Sequence, residues 1–595
     1  MTSVTAEPPN QISADVALLG LVALVIVMPF EQLRPVLSLP WQKITSVELT
    51  LLFGAAAWAG TLLWSRQWPR WRTVLTAPLV ALLGGLLLSA VLAPAHRREA
   101  LKVVARLASG IVIYLMAINA VTGRGRMRLL ITAAVATGAV VATIAILEYR
   151  GAPVILSWLN QYRDGVRVVG GQVRSGATLQ YPTIAAMYFE IIFALGVGLM
   201  LSVLDEGEST GASRREQVRA GAQYVRLAAI IAALLMISQG LSLTFTRAGL
   251  MGSAASLAAI AFWRFNRRGF DSGVVLTAGL TAAVLLMPLL SWSGEAVRLR
   301  FSSEGRQGWY RADFAAANAM TMATGEDTFI DLTVTNTGRV TWQPGAEAPF
   351  RASYHWLDGS TDRVVQYDGA RTELPADIAP GASVTLAMQV RAPEKPGRYR
   401  LAWDLVQEQR LWFSTEGGAA LTWTSVDVIP GSTVARPLAV GRGPRVIPPQ
   451  DIVLGRLALW RAALRIFAAH PLLGVGPDNF RLTYGPYVGQ SKPNPRVHSN
   501  SMYLEWLTGA GLVGLVVYSW LLWRAERITR RTRAWLPHNA ASLYAGVAAA
   551  GVAVLVHGLL DSFLTFTPTY VAIALTLGLV AAPSTWIEVH RAHRV

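Results

Sequence analysis

VHSNSMYLEWLTGAGLVGLVVY, residues 497–518, decides the architecture: a polar run ends at Glu505, and an uncharged apolar stretch long enough to cross a bilayer follows it. His498, Asn500, Tyr503 and Glu505 therefore stand immediately before or at the mouth of a membrane-length helix. Side chains there can meet a substrate at the membrane surface, and a histidine can exchange protons near neutral pH. An ordinary water-facing helix entry would read the same way, so the rest of the chain has to decide.

Composition places that helix among many. The chain has 595 residues, 53% of them hydrophobic and 15% charged, and apolar runs of about 20 residues recur along most of it, the length needed to cross a bilayer. They predict roughly twelve spans, beginning near residues 16, 46, 74, 103, 128, 181, 224, 247, 273, 501, 539 and 567. MTSVTAEPPNQISAD lacks the basic start of a signal peptide, and no small-residue cleavage site follows the apolar run from Val16, so the first span is expected to stay. With no cysteine, disulfides and thiolate metal sites are excluded.

Arginines cluster in alternate loops: Arg66, Arg70 and Arg72; Arg124, Arg126 and Arg128; Arg214, Arg215, Arg219 and Arg226; Arg264, Arg267 and Arg268; Arg524, Arg527, Arg530, Arg531 and Arg533. All fall on one side if both termini are cytoplasmic. The turn with Arg97, Arg98 and Lys102 does not fit that pattern. The net charge of +17 is thus a topology signal with some attraction to anionic membrane lipids, and not a nucleic-acid footprint.

About 200 residues separate the ninth span from the tenth, too many for an unstructured loop. From Thr328 to Ile429 apolar and polar residues alternate between turn signals, in FIDLTVTNTG, SVTLAMQVRAP, GRYRLAWDLVQ and ALTWTSVDV, which reads as a β-sandwich similar to the Ig-like modules of bacterial surface proteins. Tyr354, Trp356, Trp403 and Trp412 could bind sugar faces if exposed, but strand aromatics more often fill the space between sheets. Pro437 to Gln450 reads as a linker. The expected division is residues 1–300 as nine spans, 326–430 as the sandwich, 451–500 as an amphipathic helix and loop, and 501–595 as three more spans.

DIVLGRLALWRAALRIFAAHPLLGVGPDNF opens with Asp451 as a plausible N-cap and places Val453, Leu457, Trp460, Leu464 and Phe467 on one stripe, so this helix should lie on the membrane surface. Arg461 and Arg465 share a flank and could both face an anion or reach lipid headgroups. Two further segments are expected on the same outer face. In VRSGATLQYPTIAAMY, Arg174 precedes the sixth span, with Thr178, Gln180 and Tyr181 at its mouth. In LSLTFTRAGLMG, Thr244, Thr246 and Arg247 sit where a helix opens with free N–H groups. Arginines from three segments could grip a diphosphate bidentately.

RSGATLQYP, LSLTFTRAG, WRAALRIFAAHPLLGVGPDNF and HSNSMYLEWLTGAGLVGL together resemble the O-antigen ligase and polymerase family of bacterial membrane glycosyltransferases. The resemblance implies a GT-C-like α-helical polytopic membrane protein, here with an inserted extracytoplasmic β-sandwich, in the bacterial cytoplasmic (inner) membrane. It implies transfer of a glycan from an undecaprenyl-diphosphate carrier to a glycan, lipid or protein acceptor. By position, the diphosphate-binding arginines carry over to Arg174, Arg247 and Arg461, and the loop histidine at the reaction centre to His498. Many members have a histidine directly before the asparagine, five residues before the glutamate; here Asn500 and Ser501 hold those places, and His498 is the histidine of the motif.

That chemistry needs stabilisation of the departing charge and deprotonation of an acceptor hydroxyl. Arg174, Arg247 and Arg461 suit the first task and His498 the second; Gln180, Tyr181, Thr246, Arg465, Asn500, Tyr503, Glu505 and Asp561 are candidate substrate contacts, with Glu31 in reserve. No Asp-x-Asp pair stands in a membrane-proximal outer loop, so no metal and no cofactor are expected. Asp561 could instead be an N-terminal acid that complements the dipole of the last span, and Glu190, inside the sixth span, could pair with an arginine. A transporter would suit many spans with intramembrane charge, but the charged candidates cluster on one face and no internal repeat is visible. A glycan-binding scaffold would leave the arginines and histidine unexplained.

Overall fold

The computed structural model describes residues 11–38, 43–163, 167–169, 172–207, 214–293, 297, 308–346, 349–408, 411–414, 422–431, 446–447, 455–488 and 494–592. Asp451, Val453 and most of the expected linker lie outside them. The chain divides into two compact units. Met1–Arg298, Leu472–Asp478 and Ser501–Val595 form a helical unit; Leu299–Pro471 and Asn479–Asn500 form a second one.

Among the described residues the helical unit has 11 helices long and apolar enough to cross a membrane, so the protein is a multi-pass membrane protein. The expected third span is the exception: Thr76–Val91 has 16 residues, about 24 Å at 1.5 Å per residue, short of a ~30 Å hydrocarbon core. Its start is fixed by hydroxyls, Thr73 bonding both Thr76 and Tyr114.

Successive helices alternate in direction, which sorts the loops by end of this unit. At one end Arg124 and Arg128 pair with Glu206, Arg126 with Asp15, and Arg264 and Arg268 with Asp205; Asn119 exchanges bonds with the backbone of Arg70 there. These are loops of the expected inner set. The helix Arg97–Ala120 starts at the other end, so the deviant basic turn belongs with Arg174 and Arg247. Pro182–Glu206 is the most buried of these helices, and its contact with His538–His557 requires glycine: a Cβ on Gly198 would lie 2.7 Å from the Cα of Gly546.

In the second unit two sheets enclose a core. A three-stranded sheet orders Ser383–Arg391, Asp327–Asn336 and Ala312–Ala315. The larger sheet runs Val446–Ile447, Arg371–Glu373, Phe350–Asp358, Gly397–Gln407, Trp423–Ile429, Ala319–Ala323, with only the last pairing parallel. Trp356, Trp403 and Tyr354 are buried between the sheets with Leu332, Val334 and Met388, so none offers a sugar platform.

The opposite face of the larger sheet is buried too. Arg371 lies 4.6 Å from the Trp412 ring centroid and bonds Glu408 at 3.2 Å, as does Arg351; His355 is 3.0 Å from Asp404. Trp412, the fourth aromatic, is therefore committed to an ionic layer. These charges sit where the strand alternation turns outward, paired because lone buried charge is costly.

Candidate functional site

The mouth of the helical unit is assembled around Arg174. It ends the strand Gln172–Arg174, paired with Arg167–Val169, and its Nε donates to Thr244 O at 3.2 Å while Ser175 N donates to Leu243 O at 2.8 Å. Arg174 is thus fixed on the turn that launches the helix Arg247–Arg268, whose first residue, Arg247, is exposed. Phe245 holds this turn in the left-handed region, φ 53°, stacked on Trp292. Thr246 is buried, its hydroxyl directed to Pro182 O and Thr244 O, so its side chain serves the turn.

Beneath the loop lies an ion pair that sequence reading missed. Glu148 bonds Arg163, and both are buried; Glu148 also accepts from the Ser175 hydroxyl at 2.6 Å and Ala177 N at 2.9 Å. Gly176 must be glycine, because a Cβ would come within 2.9 Å of Leu179 O and 3.0 Å of Arg163. This explains the RSGA tetrad in physical terms.

A second set of glycines builds the neighbouring cleft. Leu472–Asp478 runs along the helix Met502–Trp535, which is broken at Gly511. Val475 N donates to Thr508 O at 2.8 Å, Gly476 N to Gly509 O at 3.1 Å and Val513 N to Leu472 O at 3.2 Å. A Cβ on Gly474, at φ 67°, would sit 2.2 Å from Thr508 O, and one on Gly511 2.4 Å from Leu472 O. Gly474→Ala is expected to destabilise by at least the order of 1–3 kcal/mol that backbone strain alone costs, whereas Gly279→Ala, which meets open space, should be neutral; thermal unfolding in detergent checks both.

This interlock sets Asp478 and Glu505 on one cleft of about 40 Å³, with Ser562 and Thr565 on its wall. Arg106 donates to Thr565 O at 2.7 Å and stands 3.7 Å from Glu48, an arginine that sequence reading passed over although it follows the deviant basic turn. The Tyr503 hydroxyl donates to Leu555 O at 2.9 Å.

Two expectations about charge change. Glu190 meets a histidine instead of an arginine: its Oε1 is 3.1 Å from His557 Nδ1, and His557 Nε2 is 3.9 Å from Asp561. Asp561 lies well before the last helix, Thr567–Ala592, so it does not cap it; its carbonyl and that of Gly558 receive Met502 N at 2.9 and 2.8 Å. The triad thereby anchors the start of the helix bearing Tyr503 and Glu505. Glu31 and Gln180 line a small cavity of about 10 Å³ beside Phe566, and burial pushes the Glu31 carboxyl above its ordinary range against the lowering effect of Thr567, Thr45 and Arg106. Tyr181 packs edge-on against Phe566.

The second unit carries the remaining candidates. Arg461 and Arg465 are exposed on the helix Arg456–Ala469, capped by Gly455, and Arg465 donates to Tyr487 O at 3.2 Å. Leu459, Ala462, Ala463 and Ile466 form its buried face, while Leu457 and Leu464 of the expected stripe are exposed. Tyr484 and Arg481 donate to the carbonyls of Asn494 and Pro495 at 3.2 and 3.1 Å, holding the loop that leads to half-buried His498. Asn500 takes φ 55°, a left-handed conformation that asparagine tolerates better than most residues.

Residues 434–519 match the family model for O-antigen ligase. Over that stretch the chain is similar to the O-antigen ligase family. The match includes the helix with Arg461 and Arg465, the GVGPD segment, His498 and Glu505; the segments around Arg174 and Arg247 precede it. Residues 318–421 are similar to a family described as the Ig-like domain from next to BRCA1 gene. No curated protein matches the chain.

Proposed function

We propose that the protein transfers a glycan from undecaprenyl diphosphate to an acceptor at the outer face of the cytoplasmic membrane. The observation that carries this reading is Arg174 fixed on the turn that presents Arg247, in a chain whose residues 434–519 match the O-antigen ligase family model. Guanidinium groups suit a diphosphate because each can bond two of its oxygens. In the proposed reaction the acceptor oxygen forms a bond to the anomeric carbon as the bond from that carbon to the diphosphate oxygen breaks. The acceptor proton goes to His498, and the negative charge on the departing diphosphate is met by Arg174, Arg247 and Arg461. Gln180, Tyr181, Asn500, Tyr503 and Glu505 orient the sugars, and Asp561 acts through the turn that receives Met502.

Arg247→Ala is expected to weaken carrier binding and slow departure of the diphosphate together, and Arg247→Lys to restore only part, since a point charge cannot reproduce the bidentate fork. Single-turnover rates with labelled carrier-linked glycan measure both. The reaction is proposed to need no metal: EDTA should leave transfer unchanged, and a loss restored by Mg²⁺ would instead assign a cation to Asp478 and Glu505.

Ligase and polymerase chemistry share these requirements. Deleting the gene should leave full-length glycan unattached if the acceptor is a different molecule, whereas uniformly shortened glycan would assign polymerisation.

A further inference from the structure

The helix that begins with Arg247 ends in a second basic cluster, Arg264, Arg267 and Arg268, about 30 Å away at 1.5 Å per residue. There a cavity of about 410 Å³ opens among Trp263, Arg264, Arg267, Arg530, Arg533 and His538. Not all of this charge is balanced. Arg264 lies between Asp205 and Asp271 at 2.8 and 2.7 Å, Arg268 is 2.8 Å from Asp205, and Arg530 pairs with Glu526. Arg267 instead donates to the carbonyls of Arg533 and Leu536 at 2.5 and 2.6 Å, and Arg533 lies over Trp263, 4.2 Å from its centroid. Neither has a carboxylate within ion-pair distance among the described residues.

The cavity has an apolar continuation. Trp263, Asn266, Arg530 and Arg533 also bound a slot of about 470 Å³, whose deeper walls include Leu522, Leu555, Ile573 and Leu577 from three membrane helices. Gly551 faces it, and a Cβ there would meet nothing within 4 Å. A basic head cavity joined to an apolar slot of acyl-chain character matches one molecule in two chemistries: a phosphate for the arginines and a hydrocarbon chain for the slot. A free anion would leave the slot unused, and a neutral lipid would leave Arg267 and Arg533 uncompensated.

We propose that this is a binding site for an anionic phospholipid, its phosphate against Arg267 and Arg533 and one acyl chain in the slot past Gly551. It lies at the opposite end of the helical unit from Arg174 and Arg247. An occupant would join the helices Arg247–Arg268, Met502–Trp535, His538–His557 and Thr567–Ala592.

The test is native mass spectrometry of the full chain in detergent, titrated with phosphatidylglycerol, with phosphatidylcholine of the same chains, and with inorganic phosphate as competitor. Two basic residues at about fivefold each predict retention of phosphatidylglycerol on the order of 25-fold over phosphatidylcholine, lost in Arg267→Gln/Arg533→Gln. Gly551→Leu keeps both arginines and should abolish most retention by filling the slot, which decides the matter even if the double variant does not fold. Equal retention of the two lipids, wild-type retention in Gly551→Leu, or displacement by millimolar phosphate would each overturn the proposal, the last in favour of a free-anion site.

Discussion

His498→Ala should lower the transfer rate by roughly 10²- to 10⁴-fold, the usual contribution of a positioned general base, while leaving carrier-lipid binding nearly intact. In the proposed reaction an acceptor hydroxyl must lose its proton as it attacks, and the proposed carrier-binding charge belongs to Arg174, Arg247 and Arg461, which the substitution does not touch. Transfer rate and equilibrium binding of labelled carrier-linked glycan separate the two quantities. A variant with near wild-type turnover would reduce His498 to positioning and leave leaving-group stabilisation as the main catalytic effect.

Glu148→Ala should have the largest effect on stability. It strands the buried Arg163 guanidinium and removes the acceptor of Ser175 and Ala177; breaking a buried pair from one side costs roughly 3–5 kcal/mol. Because Arg174 adjoins this loop, activity should fall with it. Glu148→Gln/Arg163→Met removes both charges, keeps a carbonyl acceptor for Ser175 and Ala177, and should recover much of the thermal stability. A Glu148→Ala protein as stable as wild type would mean the pair is not what holds the loop.

How much of this was legible in the sequence depends on the distance over which each feature is determined. Spans follow from local hydropathy, and the sandwich from alternation: Leu332 and Val334 are buried and Asp331 is exposed, as the period of a strand requires. Alternation failed on Phe350–Asp358, where Arg351, Ser353 and His355 are buried as well, because Glu408 and Asp404, the partners of Arg351 and His355, lie 57 and 49 residues further on and Ser353 is met by Arg371 and Gly369. Polarity in a strand does not reveal a paired second face.

At the site, Arg174 and Arg247 were visible as charges at helix mouths, but the hydrogen bond joining their segments spans 70 residues. Glu148 and Arg163 carried a faint signal, an acid in the last turn of an apolar run and a base shortly after it. His557 carried a stronger one: a histidine ending an apolar run, with an acid four residues on, is a natural partner for the intramembrane Glu190. The glycines of GVG and GAG signal turns in sequence, whereas their close approach is a property of two segments together.

The most direct test of the central claim is acceptor-dependent release of undecaprenyl diphosphate from labelled carrier-linked glycan by the purified protein in liposomes. One carrier should be released per glycan transferred, and this release should be lost in Arg247→Ala. Movement of intact carrier-linked glycan across the bilayer with no carrier released would contradict it and make the protein a transporter.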